Sequence, residues 1–277
     1  MSEFVQKRHP LQQTLDRSEA LREALILDAR LGVPADGDWV SAEELVAEDS
    51  PELARRMEFL LGLRGKRNAA MALAGSYARW LAGPAIASYL LERRAPDLSP
   101  ANVTLRFSEY GNVDAVAFRR GDFAALPSDP DLAHIDAVIL PDEGESLRWL
   151  RQSLEDHLAP VIGGVRAITR VGERALWGRC ADLCAHAFLA AGREIGTDAG
   201  SKAEAFVSAP ESPLNGRTRF FAIEHAGREQ TCLVSGVCCQ GYKVPGYGYC
   251  ATCPLLSQEE LERGARETLA REALARG

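Results

Sequence analysis

The strongest constraint on this 277-residue chain is a group of cysteines close to its C-terminal end, where four of the seven fall within 16 residues. An adjacent pair, Cys238 and Cys239, is followed after ten residues by Cys250 and Cys253, which are separated by two residues. The polar start of the chain shows no apolar export segment, so we expect a reducing compartment. Clustered cysteines in such a compartment are more often metal ligands or redox groups than disulfides.

The adjacent cysteines favour a metal centre larger than a single ion. Neighbouring side chains of an extended strand point to opposite faces, so Cys238 and Cys239 converge only if the backbone turns there. Ligands of one tetrahedral zinc are normally spaced two to four residues apart in the sequence. The ligand positions of a [2Fe–2S] cluster are spread over two irons and therefore over a larger group, which suits an adjacent pair better. This geometric preference leaves a structural zinc site, reversible disulfides and unliganded thiols as alternatives.

The ten-residue connector between the two cysteine pairs has the composition of a loop that folds back on itself. It contains three glycines and Pro245, and another proline, Pro254, follows the last cysteine. The connector also carries Tyr242, Tyr247 and Tyr249, which cannot all be buried in a glycine-rich loop. These tyrosines are therefore candidates to shield a metal centre or to line a substrate pocket beside it.

The spacing C-C-x10-C-x2-C resembles the C-terminal signature of ferric-siderophore reductases of the FhuF type. The unusual cysteine pair of that family matches Cys238 and Cys239, and its C-x-x-C matches Cys250 and Cys253. A shorter stretch at 175–178, Ala-Leu-Trp-Gly, is similar to a Leu-Trp-Gly sequence that starts a helix in this family and in related siderophore synthetases. The specific match covers about the last fifth of the chain.

The resemblance implies a [2Fe–2S] cluster with the four cysteines as thiolate ligands. It also implies reduction, in the cytoplasm, of ferric iron held by a hydroxamate-type siderophore. Ferric iron is hard and highly charged, so oxygen chelators hold it tightly, whereas they hold ferrous iron far more weakly. A single electron therefore releases the metal, and a two-iron cluster is a one-electron carrier.

On this interpretation the electrons come from an external donor. The sequence has no G-x-G-x-x-G after a predicted strand, and the lone G-x-G at 246–248 fits a turn in the cysteine loop. Lys243 and Arg217 are close to the cysteines in sequence and could dock an acidic donor such as a ferredoxin. Solvated surface charges explain these two residues more simply.

Charge and hydropathy argue against two other classes of function. The chain has 32 basic and 39 acidic residues and a net charge of −7, not the basic excess of a general nucleic-acid binder. The longest apolar stretch, 69–91, is broken by Arg79, Gly83 and Pro84, so we expect a buried helix with a kink or break and no transmembrane segment. Peripheral association with a membrane stays open.

The hydrophobic pattern predicts an α+β fold with a mainly helical N-terminal part, a small antiparallel sheet and a C-terminal cysteine module. We place the division at 1–207 and 208–277, with the module lying on the sheet through a hairpin and closed by a final helix. The predicted helices are 18–32, a stretch after a capping box at 41–44 that is interrupted near Ser50, 66–94, 146–158, 172–195, and one opened by a second capping box at 257–260, which begins with Ser257. The predicted strands are Val103–Phe107, Val113–Phe118, a buried run at 135–140, 218–224 and 231–234.

The remaining polar and aromatic residues of interest have structural explanations. Cys180 and Cys184 fall on one apolar face of the helix 172–195, and Cys232 lies on a predicted strand, so we expect core positions for all three. Trp177 is either a core residue or a neighbour of the three tyrosines in a substrate pocket. Asp182 has no partners visible in the sequence and receives no role.

Three functional hypotheses follow. The first is a cytoplasmic ferric-siderophore reductase that carries a [2Fe–2S] cluster. The second is a protein that binds a siderophore-like ligand and uses the cysteines for a structural zinc. The third is an iron–sulfur electron shuttle or redox sensor without a siderophore pocket.

Overall fold

The N-terminal part begins with a helix and a strand and not with the single helix predicted at 18–32. The computed structural model of the protein describes residues 8–21, 28–197, 199–244 and 246–275. Helix α1 (Pro10–Ser18) leads into a 3₁₀ turn (Glu19–Leu21), and strand β1 (Ala29–Leu31) follows, while 22–27 lie outside the described residues. The predicted helix is wrong over β1, which is a strand. Its backbone hydrogen-bonds to a strand more than 80 residues later, and this long-range pairing overrides the local helical pattern.

A serine caps each of the next two helices. Strand β2 (Trp39–Ser41) runs directly into the short helix α2 (Ala42–Val46), and α3 (Pro51–Leu63) begins a few residues later. The hydroxyls of Ser41 and Ser50 accept hydrogen bonds from backbone amides in the first turns of α2 and α3. The predicted helical stretch after the capping box and its interruption are therefore confirmed.

Helix α4 (Lys66–Glu92) is largely buried. It is predominantly apolar on every side, and most of its residues from Ala69 to Leu90 are buried. The helix continues through Pro84, so it is not broken at the Gly-Pro pair, because packing on all sides holds the turns before and after the proline. No helix in the described part of the chain is long and apolar enough to cross a bilayer.

A mixed four-stranded sheet packs beside α4. Strands β4 (Val103–Phe107) and β5 (Val113–Phe118) pair antiparallel around a turn in which Gly111 has a φ of +72°. Both predicted strands are confirmed. The sheet order is β1-β5-β4-β2, and β1 joins β5 in parallel, which the sequence pattern did not predict.

A second, three-stranded sheet contains the predicted strand at 135–140. Strand β3 (Ala95–Pro96) pairs with β6 (Phe123–Ala125), which pairs in parallel with β7 (Ala137–Ile139). The predicted burial of this run is wrong, since β7 forms an edge of the sheet. Ile135, just before β7, is 93% exposed.

Three helices follow the sheets. Helix α5 (Glu143–Thr169) runs well beyond its predicted end at 158 and continues through Pro160. Helix α6 (Glu173–Glu194) agrees with the prediction, buries Cys180 and Cys184 completely, and makes the most extensive helix–helix contact of the fold with α4. The short helix α7 (Gly200–Val207) packs against α6.

The C-terminal part consists of a hairpin, the cysteine segment and a closing helix. Strands β8 (Arg219–His225) and β9 (Arg228–Val234) are joined by Ala226 and Gly227, both at positive φ as a tight hairpin turn requires. Cys232 on β9 is only half-buried, so its predicted core position is wrong. Helix α8 (Gln258–Ala275) opens with the predicted capping box, whose serine and glutamate exchange hydrogen bonds with each other's backbone amides.

Together these elements form an α+β fold, which confirms the predicted class. The sheets are mixed and not purely antiparallel. The hairpin forms a separate two-stranded sheet against α6 and α8, so the cysteine segment rests on helices and not on the larger sheet. The division at residue 207 stays a prediction.

A buried histidine links α5 to α4. The Nδ1–H of His157 donates to the carbonyl of Leu98, which leaves Nε2 to accept a hydrogen bond from the hydroxyl of Tyr77 at 2.8 Å. Complete burial lowers the pKa of His157 from its ordinary value of 6.5 to about 4. The folded protein therefore holds this imidazole in its neutral form.

This histidine predicts a pH-dependent loss of stability. Below pH 6.5 the unfolded chain takes up a proton that folded His157 accepts only near pH 4, so the free energy of unfolding should fall over this interval. The loss due to this group is up to about 3 kcal/mol. We expect His157→Asn to flatten the dependence between pH 7 and pH 4, measured by urea unfolding.

The control is His225→Asn, which replaces a histidine at the end of β8 and leaves the hydrogen bonds of His157 in place. His186 also contributes to the pH dependence of stability, because burial lowers its pKa to about 3. His157→Asn should therefore retain part of that dependence. An unchanged slope in His157→Asn would contradict the assignment.

Candidate metal centre

The cysteine segment leaves β9 and closes on itself at its base. The backbone amide of Ser235 donates to the carbonyl of Thr252 at 2.8 Å, and the two hydroxyls lie 2.8 Å apart. Thr252 lies between Cys250 and Cys253, so these bonds bring the second cysteine pair next to the residues that precede the first. The glycine-rich connector loops out between the two pairs.

All four cysteines of the motif line a single cavity of about 370 Å³. Cys253 is buried, Cys238 and Cys239 are half-buried, and Cys250 is exposed. The opposite wall comes from the end of α3, the first turns of α4 and the middle of α6: Arg64, Asn68, Met71, Ala72 and Arg179. The cavity is therefore open on its Cys250 side and closed by helices on the other.

The adjacent cysteines converge because the backbone turns immediately after them. Gln240 has a left-handed conformation with a φ of +59°, and a 3₁₀ turn (Gly241–Lys243) follows. The amides of Gln240 and Gly241 donate to the sulfurs of Cys238 and Cys239, each at 3.4 Å. This is the turn that the adjacent pair required, and it aims two backbone N–H groups at the sulfurs.

Two side chains of the helical scaffold hold the segment on either side of the cysteine pair. The carboxylate of Asp182 on α6 accepts hydrogen bonds from the amides of Gly236 at 2.7 Å and Val237 at 3.4 Å. The amide of Asn68 on α4 donates to the carbonyl of Gln240 at 3.2 Å. The cysteine pair is thus fixed between α4 and α6.

Asp182 is a functional residue that sequence reasoning missed. Its carboxylate is buried and also accepts a hydrogen bond from the hydroxyl of Thr218 at 2.6 Å. Burial raises the pKa of Asp182 to about 6, and the hydrogen bonds from Thr218 and Gly236 oppose that rise. Its partners are 36 to 55 residues away in sequence, and the one local signal was a carboxylate within an apolar helix.

Close backbone approach explains the Leu-Trp-Gly stretch at the start of α6. A Cβ on Gly178 would lie 2.8 Å from a methyl carbon of Val237, so the glycine makes room for the segment to settle on the helix. A Cβ on Gly236 would lie 2.6 Å from the backbone of Arg217 and Thr218, which cannot move aside cheaply. Trp177 is buried in the core and does not line the cavity.

The three tyrosines of the connector lie at the mouth of the cavity. Tyr242 and Tyr249 pack with ring centroids 5.0 Å apart, and Tyr247 is 67% exposed. Lys243 is exposed above the ring of Tyr242, with its nitrogen 5.9 Å from the ring centroid. Arg217 is exposed and does not line the cavity.

Electrostatics favour ionisation of the Cys239 thiol over those of Cys250 and Cys253. A hydrogen bond from the thiol of Cys250, the amide of Gly241 and the positive charge of Arg179 lower the pKa of Cys239 to about 5 against the opposing effect of burial. The same shared proton raises the pKa of Cys250, and burial raises that of Cys253. The thiols of Cys239, Cys250 and Cys253 therefore lie close enough to influence one another's ionisation.

The arrangement fits a two-iron cluster better than a single zinc. No three of the four sulfurs lie within 4.8 Å of one another in the described part of the chain, whereas thiolates on one tetrahedral zinc stand about 3.8 Å apart. Backbone N–H groups point at two of the sulfurs, and no carboxylate is among the described residues that line the cavity. Such surroundings stabilise several thiolates together.

A second group with metal-ligand chemistry has a structural explanation. The side chains of His9, His134 and Asp136 place their donor atoms within 4.8 Å of one another. However, Nδ1 of His9 accepts the amide hydrogen of Leu11, so its Nε2 carries the proton and donates to Asp136 at 2.9 Å. His9 therefore offers no free lone pair to a cation while it caps α1.

The fold and the four-cysteine cavity define an α+β protein with a candidate metal site at its surface. The family model "Ferric iron reductase FhuF-like transporter" matches residues 72–227, more than half of the chain, and "FhuF 2Fe-2S C-terminal domain" matches 236–255. The chain belongs to the FhuF-like family and carries that family's [2Fe–2S] domain. The resemblance seen in the cysteine motif is thereby confirmed.

Other comparisons add little about function. No curated protein matches the chain significantly. Among solved structures, the aerobactin synthetase IucC from a hypervirulent pathotype of Klebsiella pneumoniae is similar over 71% of this chain, at 14% sequence identity and a TM-score of 0.49. The chain spans only 41% of that structure.

The hydrogen bonds of Asp182 predict that cluster retention depends on it. Asp182→Ala leaves the amides of Gly236 and Val237 without their acceptor, which we expect to lower the free energy of unfolding by about 2–3 kcal/mol. Iron and sulfide per chain, measured after purification without oxygen, should fall by more than half. Asp182→Asn keeps one carbonyl acceptor and should give intermediate values.

The control is Asp156→Ala, which removes an exposed carboxylate of α5 that is hydrogen-bonded only within its own helix. It should retain the wild-type iron content and stability. A full complement of iron in Asp182→Ala would show that the segment is held by other contacts.

Proposed function

We propose that the protein is a ferric-siderophore reductase, which transfers one electron to chelated Fe(III) and releases Fe(II) in the cytoplasm. The proposed ligands of its [2Fe–2S] cluster are Cys238, Cys239, Cys250 and Cys253. Membership of a family described as ferric iron reductases supports the reaction class. The convergence of the four cysteines on one cavity supports the ligand set.

The observation that carries the proposal is the open side of the cysteine cavity. Cys250 is exposed, and Tyr247 and Tyr249 stand beside it with more than half of their surface in water. A bulky chelate can therefore approach the metal centre without any helix moving. Phenol hydroxyls can donate to chelate oxygens, and the rings offer apolar surface to the ligand backbone.

The proposed chemistry needs little from the protein beyond placement. When bound, a [2Fe–2S] cluster supplies a single electron at a time, which is the stoichiometry of Fe(III) reduction. The cysteine segment holds the centre at the surface, and the tyrosines at its mouth orient the chelate. Hydroxamate chelates are the proposed substrates, because the resemblance to the family points to them.

A protein donor, such as a ferredoxin, is the proposed source of electrons. Lys243 beside Tyr242 is exposed at the same mouth and provides a positive charge for an acidic donor. Donor and chelate would then use the same open side in turn. An electron shuttle or sensor would share the cluster but would not turn over ferric chelates, so turnover separates these functions.

The first measurement is a visible spectrum with iron and sulfide analysis on protein purified without oxygen. We expect two irons and two sulfides per chain, since that is the composition of the cluster. The absorption bands should bleach with dithionite and return on addition of a ferric hydroxamate. A ferric catecholate added in parallel tests the preferred chelate, and bands that stay bleached with every ferric chelate would refute the reductase.

Loss of one proposed ligand should remove cluster and activity together. We expect Cys239→Ser to abolish the visible bands and to reduce ferric-hydroxamate turnover at least about 100-fold, because substitution of a thiolate by a hydroxyl removes the ligand that iron–sulfur clusters use. Cys232→Ser is the matched control, since Cys232 lies on β9 and does not line the cavity. Full turnover in a cluster-free Cys239→Ser variant would disprove the proposed role of the cluster.

A further inference from the structure

Arg179 occupies a slot between the two central helices and beside the cysteine cavity. It lies on α6, and its guanidinium packs over Gly75 of α4, where an added Cβ would stand 2.7 Å from its Nε. The same side chain lines the cavity together with all four cysteines. The absence of a side chain at Gly75 is what lets the charge lie there.

The guanidinium of Arg179 has an unsatisfied group. Its Nε–H is buried and has no hydrogen-bond partner among the described residues. Asp182, one turn further along α6, is the nearby carboxylate, but its oxygens are engaged by Thr218, Gly236 and Val237. A buried N–H without a partner is costly, and here it belongs to a cation that lines the cavity together with all four cysteines.

The rest of the cavity makes the charge of Arg179 effective. Arg64 and Arg179 are the charged groups among its described lining residues. A thiolate-ligated cluster is negatively charged, and its negative charge grows by one unit when an electron is added. A fixed positive charge therefore stabilises the reduced state more than the oxidised state. Arg179 is half-buried, so water screens this interaction less than it would at a fully exposed position.

We propose that Arg179 sets the reduction potential of the cluster by holding a permanent positive charge beside the cysteine cavity. This inference rests on the ligand set proposed above. Arginine suits the task, because its guanidinium stays charged at every physiological pH and tolerates partial burial better than an ammonium group. The charge makes the cluster easier for a donor to reduce. It also leaves less driving force for electron transfer from the reduced cluster to the ferric chelate.

The test is a redox titration of the loaded protein in the absence of any siderophore. In Arg179→Gln the ratio of reduced to oxidised cluster, at a fixed applied potential, should fall at least tenfold, which corresponds to 59 mV for a one-electron couple. Arg179→Lys keeps the charge and should recover most of this ratio. Arg174→Gln removes an equal charge from an exposed position of the same helix and should change the ratio less than threefold.

A second variant covers the case in which Arg179→Gln does not hold the cluster. Gly75→Ala adds a methyl group 2.7 Å from Nε, so it displaces the guanidinium without changing the number of charges or weakening α4. Its potential should differ from that of the wild type. Wild-type potentials in all loaded variants at positions 75 and 179 would overturn the proposal.

An alternative role for Arg179 is to bind the chelate. In that case Arg179→Gln would raise the KM for the ferric chelate and leave the potential unchanged, which would also overturn the proposal. Because the titration contains no siderophore, a protein that fails to reduce ferric chelates can still pass this test. The two proposals therefore fail independently.

Discussion

The carboxylate of Asp182 accepts hydrogen bonds from Thr218, Gly236 and Val237, which belong to the two segments that flank the hairpin. A buried carboxylate without partners would be strongly destabilising, so the fold is favoured only when both segments come to α6 at this point. The open end of the hairpin is thereby clamped to the helix. The direction in which the cysteine segment leaves β9 follows from that clamp.

The clamp depends on small residues that let backbones come close. Gly178 lets Val237 settle on α6, and Gly236 fits against the backbone next to Thr218. From there the turn at Gln240 reaches Asn68 on α4, so both central helices hold the segment. Sites supported by buried helices are positioned more accurately than sites on loops alone, and here a loop acquires that accuracy through a few hydrogen bonds.

The sequence predicted best those features that depend on a single short segment of the chain. The cysteine spacing, the capping box at Ser257 and the periodicity of α6 each reside in one short segment, and each predicted its element correctly. Strand β1 was missed because its partner β5 lies far along the chain, and the exposure of Ile135 follows from the place of β7 at a sheet edge. Asp182 and Arg179 act through residues on other elements, so their roles become visible only when α4, α6 and the hairpin are assembled.

The assembled cavity has a wet side and a drier, half-buried side, and each suits a different requirement of electron transfer. Tyr247, Tyr249 and Cys250 form the wet side, where a chelate too large for a closed pocket can meet the proposed cluster. Water on that side screens charge, so a compensating charge placed there would act weakly and would be displaced by the substrate. Arg179 lies on the drier side, half-buried between α4 and α6, where its field is screened less. Separation of the two sides allows substrate access and cluster potential to vary independently, since a change at the tyrosines leaves the charge in place.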